Sequence, residues 1–168
     1  MAKRRSSSDS GRVIGILAID PGVTTGIDCG WWDLSCSAKQ SVSEWSGTNT
    51  ELCEPLLDQA HIICGMWGDL YEEASGRDCY LVAESYVQRP TNHFGTEDAL
   101  APVMLMGMVL GYLRAVEDMS VVIWQTPALA KSYATNVRLR EWGSWIRGSD
   151  HRRDARRHAL AFRSRASA

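Results

Sequence analysis

VIGILAIDPGVTTGI, residues 13–27, decides how the rest of the chain is read. Residues 13–20 form a short and nearly unbroken apolar run, too short for a helix of ordinary length and rich in β-branched side chains. Such a run suits a strand buried on both faces. It ends in Asp20, and Pro21-Gly22 then turns the chain. The following residues, 24–34, bring apolar and aromatic side chains after that turn, which predicts a second strand antiparallel to the first. Residues 41–45 (SVSEW) are read as a third strand completing a meander.

Further along, apolar residues from about 50 to 74 keep helical spacing, with Asn49 or Thr50 as N-cap and Gly76 as the stop. A strand is expected over 79–87, a loop over 88–96 and a helix over 97–117. Residues 120–126 read as a fifth strand, and Pro127 suits the first turn of a short helix. A connector over 137–149 leads to a last, basic helix from Ser149 or Asp150 to about Arg163. The order βββαβαβα predicts a mixed α/β sheet with strands 1–3 antiparallel and helices against it.

At 168 residues, 45% of them apolar, the chain is long enough for one domain with a real core. That domain is expected over 13–168, behind a disordered, serine-rich basic tail over 1–12. No apolar stretch approaches membrane-spanning length and no signal-like segment follows the basic start, so a cytoplasmic protein without membrane contact is expected. Five cysteines without a C-x-x-C pair argue against a disulfide framework or a zinc ribbon. The formal charge of −2 conceals two cationic ends: residues 1–12 carry +3 and residues 138–168 carry +6, leaving −11 between them. That asymmetry is the footprint of a polyanion binder.

Acids at the ends of buried strands need compensation, because taking a carboxylate out of water costs several kcal/mol. Asp20 and Glu84 both hold that position. If their strands are neighbours, the carboxylates converge, and converging like charges call for a metal ion. Singly, Asp20 can instead cap the Pro-Gly turn and Glu84 can pair with an arginine. In SDHRRDARRHAL (149–160), Asp150, Asp154 and His158 are spaced i, i+4, i+8, and His151 precedes Asp154 by three. These side chains are expected on one helical face, flanked by Arg152, Arg153, Arg156 and Arg157.

ILAIDPGVTTGI, AES (83–85) with an Asn-containing loop after it, and HRRDARRHAL (151–160) together resemble the three motifs of the RuvC-like Holliday junction resolvases. The likeness spans about residues 13–162 and implies an RNase H-like fold, with Asp20, Glu84, His151 and Asp154 as a catalytic tetrad. It further implies two Mg²⁺ or Mn²⁺ ions per site and cleavage of four-way or other branched DNA to 5′-phosphate and 3′-hydroxyl products. The Arg-His-Ala-Leu continuation resembles phage-encoded versions, which implies a phage source. Expected DNA contacts are Lys131, Arg138, Arg140, Arg147, Arg152 and Arg153. The chain departs from the pattern after the Glu motif, where Tyr86 and Val87 stand in place of a Phe; Tyr86 and Phe94 are the wedge candidates.

The helix over 97–117 is apolar nearly all round, a surplus that a homodimer contact would use, as would burial on two sides within one monomer. An RNase H or flap nuclease would use the same acids, and a non-catalytic DNA-binding protein would keep the basic ends without the chemistry. An actin-like ATPase also begins with a strand and an Asp-Gly-containing turn, but needs a longer chain.

Overall fold

The computed structural model describes residues 12–85, 97–115 and 122–168. Strand β1 (Val13–Asp20) runs antiparallel to β2 (Thr25–Asp33), with Asp20 opposite Gly26. Their connection is closed by Thr25, whose hydroxyl donates to the Gly22 carbonyl at 3.2 Å, and by Gln59, whose amide donates to the Val23 carbonyl at 2.7 Å. The expected third strand over 41–45 is instead the end of helix α1 (Ala38–Glu44), which Ser37 caps by accepting from the Gln40 amide. Strand β3 (Ser46–Leu52) follows and pairs antiparallel with β2 at the sheet edge. Its sequence, SGTNTEL, is mostly solvent-facing, so a hydrophobic pattern could not announce it.

Asn49 and Thr50 therefore belong to a strand and cap no helix. Helix α2 (Leu56–Glu73) starts later, after Pro55, and Gly76, at φ +87°, lies beyond its end. Strand β4 (Cys79–Glu84) pairs parallel with β1, Ile19 standing opposite Ala83. Helix α3 (Glu97–Ala115) precedes β5 (Val122–Gln125), which pairs parallel with β4. Thr126 caps α4 (Pro127–Tyr133), with Pro127 in its first turn. The expected connector contains another helix, α5 (Asn136–Glu141), capped by Thr135. Helix α6 (Asp150–Ala166), capped by Ser149, is longer at its end than its sequence suggested.

The sheet order is β3-β2-β1-β4-β5, mixed, with its three leading strands antiparallel. Because strand side chains alternate, β1 and β4 are sorted strictly between two faces. Leu17, Ile19, Leu81 and Ala83 meet α2 and α3, in a core with Ile63, Trp67, Leu105 and Val109. Ile14, Ile16, Ala18 and Val82 meet α6, in a second core with Trp32, Leu139, Leu160 and Phe162. Each large side chain so buried contributes about 1.5–3 kcal/mol of transfer free energy. Among the described residues no helix is long and apolar enough to cross a membrane.

Candidate active site

Alternation along the strands brings the first two acids to the α6 face. Asp20 follows Ala18 by two residues on β1, and Glu84 follows Val82 by two on β4, so both project where those side chains do. The parallel register, with Ile19 opposite Ala83, makes the two acids neighbours at the same end of the sheet.

Opposite Asp20, on β2, stands Gly26, where a Cβ atom would lie 2.0 Å from the His151 carbonyl oxygen. Only a residue without a side chain lets the first turn of α6 press this closely on the sheet. The consequence is that His151 Nδ1 stands 2.8 Å from Asp20 Oδ2. One turn on, Asp154 forms ion pairs with Lys131, at 2.9 Å, and with Arg157. Arg157 is itself buried and donates to the Ala134 carbonyl and to Asn136 Oδ1. A cleft of about 560 Å³ opens beside Asp154, lined among others by Lys131, Asn136, Arg153 and Arg157.

Burial pushes the Asp20 carboxyl above its ordinary pKa, the His151 bond pulls it back, and Glu84 and Asp154 push it up again as like charges. Burial outweighs the histidine, so the anionic form of Asp20 is held at a cost. His151 is raised too, chiefly by its bond to Asp20, against the opposing effect of burial. The donor set of three carboxylates and one imidazole fits a hard divalent cation, which would relieve the repulsion felt by Asp20. Asp154 is meanwhile turned to its two cationic partners. Among the described residues, the one group of three potential ligands with their atoms within 4.8 Å of one another is Asp33, Cys36 and Glu44, at the opposite end of β2.

The single helical face expected to carry Asp150, His151, Asp154 and His158 is narrower than that. Asp150 has an 83% exposed side chain and pairs with Arg153, while His151 reaches Asp20, Asp154 reaches Lys131 and His158 reaches Glu84. His158 is 1% exposed, with Nε2 3.0 Å from Glu84 Oε2. Gln125, the register partner of Glu84, was not singled out by its sequence; its buried amide donates to the His158 carbonyl at 3.3 Å.

The arginines expected to frame this face divide in the same way. Arg156 is buried against Asp28, at 2.8 Å, with its guanidinium over the rings of Trp45 and Trp32. Arg152 donates to the side chain and carbonyl of Asn49, both at 3.0 Å. Arg153 donates to the Ile146 carbonyl and lies over Trp145. Arg138, Arg140 and Arg147 are exposed, the first beside Tyr133 and the second over Trp145. A signal for the buried pair was present in Asp28, an acid inside a strand on the side facing α6. The wedge candidates Tyr86 and Phe94 lie outside the described residues.

No protein-family model matches the chain, and no curated protein matches it. Solved structures do. A RuvC of T. thermophilus in complex with a Holliday junction substrate aligns with 91% of this chain and 94% of its own, at TM-score 0.57 and 18% identity. A second structure of Thermus thermophilus RuvC aligns with 92% of this chain and 95% of its own, at TM-score 0.54 and 16% identity. At such identities the likeness speaks for the fold, which is RNase H-like: a mixed five-stranded sheet flanked by helices.

Proposed function

We propose that the protein is a divalent-metal-dependent endonuclease that cuts branched DNA, with the four-way junction as its substrate. The observation that carries this reading is the convergence of Asp20, His151 and Glu84 at one end of the sheet, with Asp154 acting on Asp20 as a like charge. The fold supports it, since one similar structure is a RuvC bound to a Holliday junction substrate.

Asp20, Glu84 and Asp154 would hold two Mg²⁺ or Mn²⁺ ions, with His151 at their edge. Such ions, when bound, supply Lewis acidity toward the scissile phosphate and its leaving oxygen. The rest is work for the protein's own side chains. Asp20, central among the acids, needs its anionic form, which His151 favours by donating from Nδ1. Asp154 must leave Lys131 and Arg157 to serve as a ligand, and Lys131, with a 53% exposed side chain, then has its charge free for a phosphate oxygen. Arg138, Arg140 and Arg147 offer exposed charge for the flanking backbone. Arg152 and Arg153, tied to Asn49 and Ile146, act there by reshaping or by shared bonds. Affinity should fall steeply with salt, as phosphate contacts require.

A homodimer belongs to the same reading. Helix α3 buries Ala101, Leu105, Met106, Val109 and Leu113, yet leaves Leu100, Val103, Met104 and Tyr112 at 41–51% exposure. A two-fold partner covering that face would provide two sites for paired cuts in a symmetric junction.

The test is cleavage of four-way junctions, flaps, RNA–DNA hybrid and linear duplex with Mg²⁺ or Mn²⁺ and with chelator, beside Asp20→Asn. Metal-dependent 5′-phosphate products from the junction, lost in the variant, are expected. Equal cleavage by the variant, or none of any substrate by the parent, would remove the proposal.

A further inference from the structure

Helix α6 delivers two histidines to two different acids, and they sit in opposite surroundings. The side chain of His151, at the first turn, is 46% exposed beside Asp20; His158, two turns later, is 1% exposed beside Glu84. The buried neighbours of His158 along the helix include Ala155, Ala159, Leu160 and Phe162, so an apolar side chain would fill the same place. The imidazole instead leaves its Nδ1 buried and without a hydrogen-bond partner among the described residues. Leaving a buried polar atom unpaired is unfavourable, a penalty a leucine would avoid. What the imidazole provides in return is one bond, from Nε2 to Glu84 Oε2 at 3.0 Å.

With no acceptor facing Nδ1, a neutral ring carries its proton on Nε2, where a carboxylate accepts it. One oxygen of Glu84 is thereby occupied and the other left for a ligand. The helix backbone at this residue is tied to the sheet by Gln125, which donates to the His158 carbonyl from β5, the strand paired with β4. Glu84 is thus gripped from the helix at a point where its own strand ends.

We propose that His158 is a positioning residue, whose Nε2–H holds the Glu84 carboxylate in the orientation that receives a divalent cation. This inference rests on the nuclease reading above. Hydrogen bonds to ligating carboxylates orient the ligand, and their loss typically weakens metal binding about 10- to 100-fold.

Mn²⁺ titration of the full chain without DNA, followed by electron paramagnetic resonance, tests it on three proteins. His158→Leu fills the space without a donor and is expected to bind Mn²⁺ about 10- to 100-fold more weakly than the parent. His158→Gln retains an amide donor and is expected to recover most of that loss, which a merely structural role would not predict. Imidazole ¹⁵N spectra of the parent should show the Nε2–H tautomer for His158, a measurement that needs no variant to fold. A leucine variant with parent-like melting and unchanged Mn²⁺ affinity would overturn the inference while the parent's own metal binding and junction cleavage kept the nuclease reading intact. A parent showing the Nδ1–H tautomer would overturn it likewise. A parent that neither binds Mn²⁺ nor cuts DNA would remove both.

Discussion

On the α2 and α3 side of the sheet, Leu17, Ile19, Ile27 and Leu81 meet Ile63, Trp67, Leu105 and Val109, all of them apolar. On the α6 side the same strands send out Asp20, Asp28 and Glu84, which meet His151, Arg156 and His158. Two neighbouring residues of one strand thus lie in unlike surroundings, Ile19 fully buried in hydrocarbon and Asp20 bonded to an imidazole. Apolar burial is non-directional and tolerates some repacking; buried charges tolerate none, since each must find its partner at hydrogen-bond distance. One face thus holds the protein together, while the other keeps the charged groups of the proposed site in register.

The largest expected break is in the buried ion pair. Arg156→Ala leaves the buried Asp28 with the Asn49 amide as a hydrogen-bond partner but without its counter-charge, which costs about 3–5 kcal/mol. Chemical denaturation should show that loss, and the double replacement Asp28→Leu with Arg156→Met should recover much of it; no recovery would mean the pair matters through something other than its charges. On the opposite face, Ile63→Ala should cost about 2–5 kcal/mol by leaving a cavity. Its cleavage rate per folded molecule should stay near the parent's, and a lost rate would show that the two faces are not separable.

Gly26→Ala perturbs the charged face. A methyl group 2.0 Å from the His151 carbonyl must push the start of α6 off the sheet. Misplacement on the order of 1 Å in an active site costs about 100-fold in rate. That loss, beside a largely folded circular dichroism spectrum, is the expected outcome; parent-like cleavage would show that the close approach is not needed.

The smallest effect concerns pH. His151 has its pKa raised by Asp20, so the stability it contributes is fully present below its unfolded value, about 6.5, and fades as pH rises through the higher folded value. The melting temperature of metal-free protein should therefore decline across the window just above pH 6.5, and His151→Gln should flatten the decline. A melting temperature that rises through that window would contradict the His151–Asp20 pair.

Much of this could be read from the chain. The apolar run ending in Asp20-Pro-Gly yields β1 and its turn, the helical spacing of 151, 154 and 158 yields the inward face of α6, and Thr126-Pro127 marks the start of α4. Elsewhere the local signal was weak or misleading. Strand β3 is polar because it lies at the edge, α1 and α5 are too short for a periodicity to show, and Asp150 has the right spacing but the wrong side of the helix.

What could be read locally was the buried strand β1, the long helices and the acids that close β1 and β4, since these follow from local backbone geometry and the sorting of apolar from polar side chains. Only the tertiary structure decided that Glu84 stands beside Asp20, that Gly26 lets α6 approach, and that Arg156 and Arg157 are interior groups rather than a surface stripe. Those outcomes depend on strand register and on partners distant along the chain, and an arginine carries the same letters whether its partner is water, a phosphate or a buried aspartate.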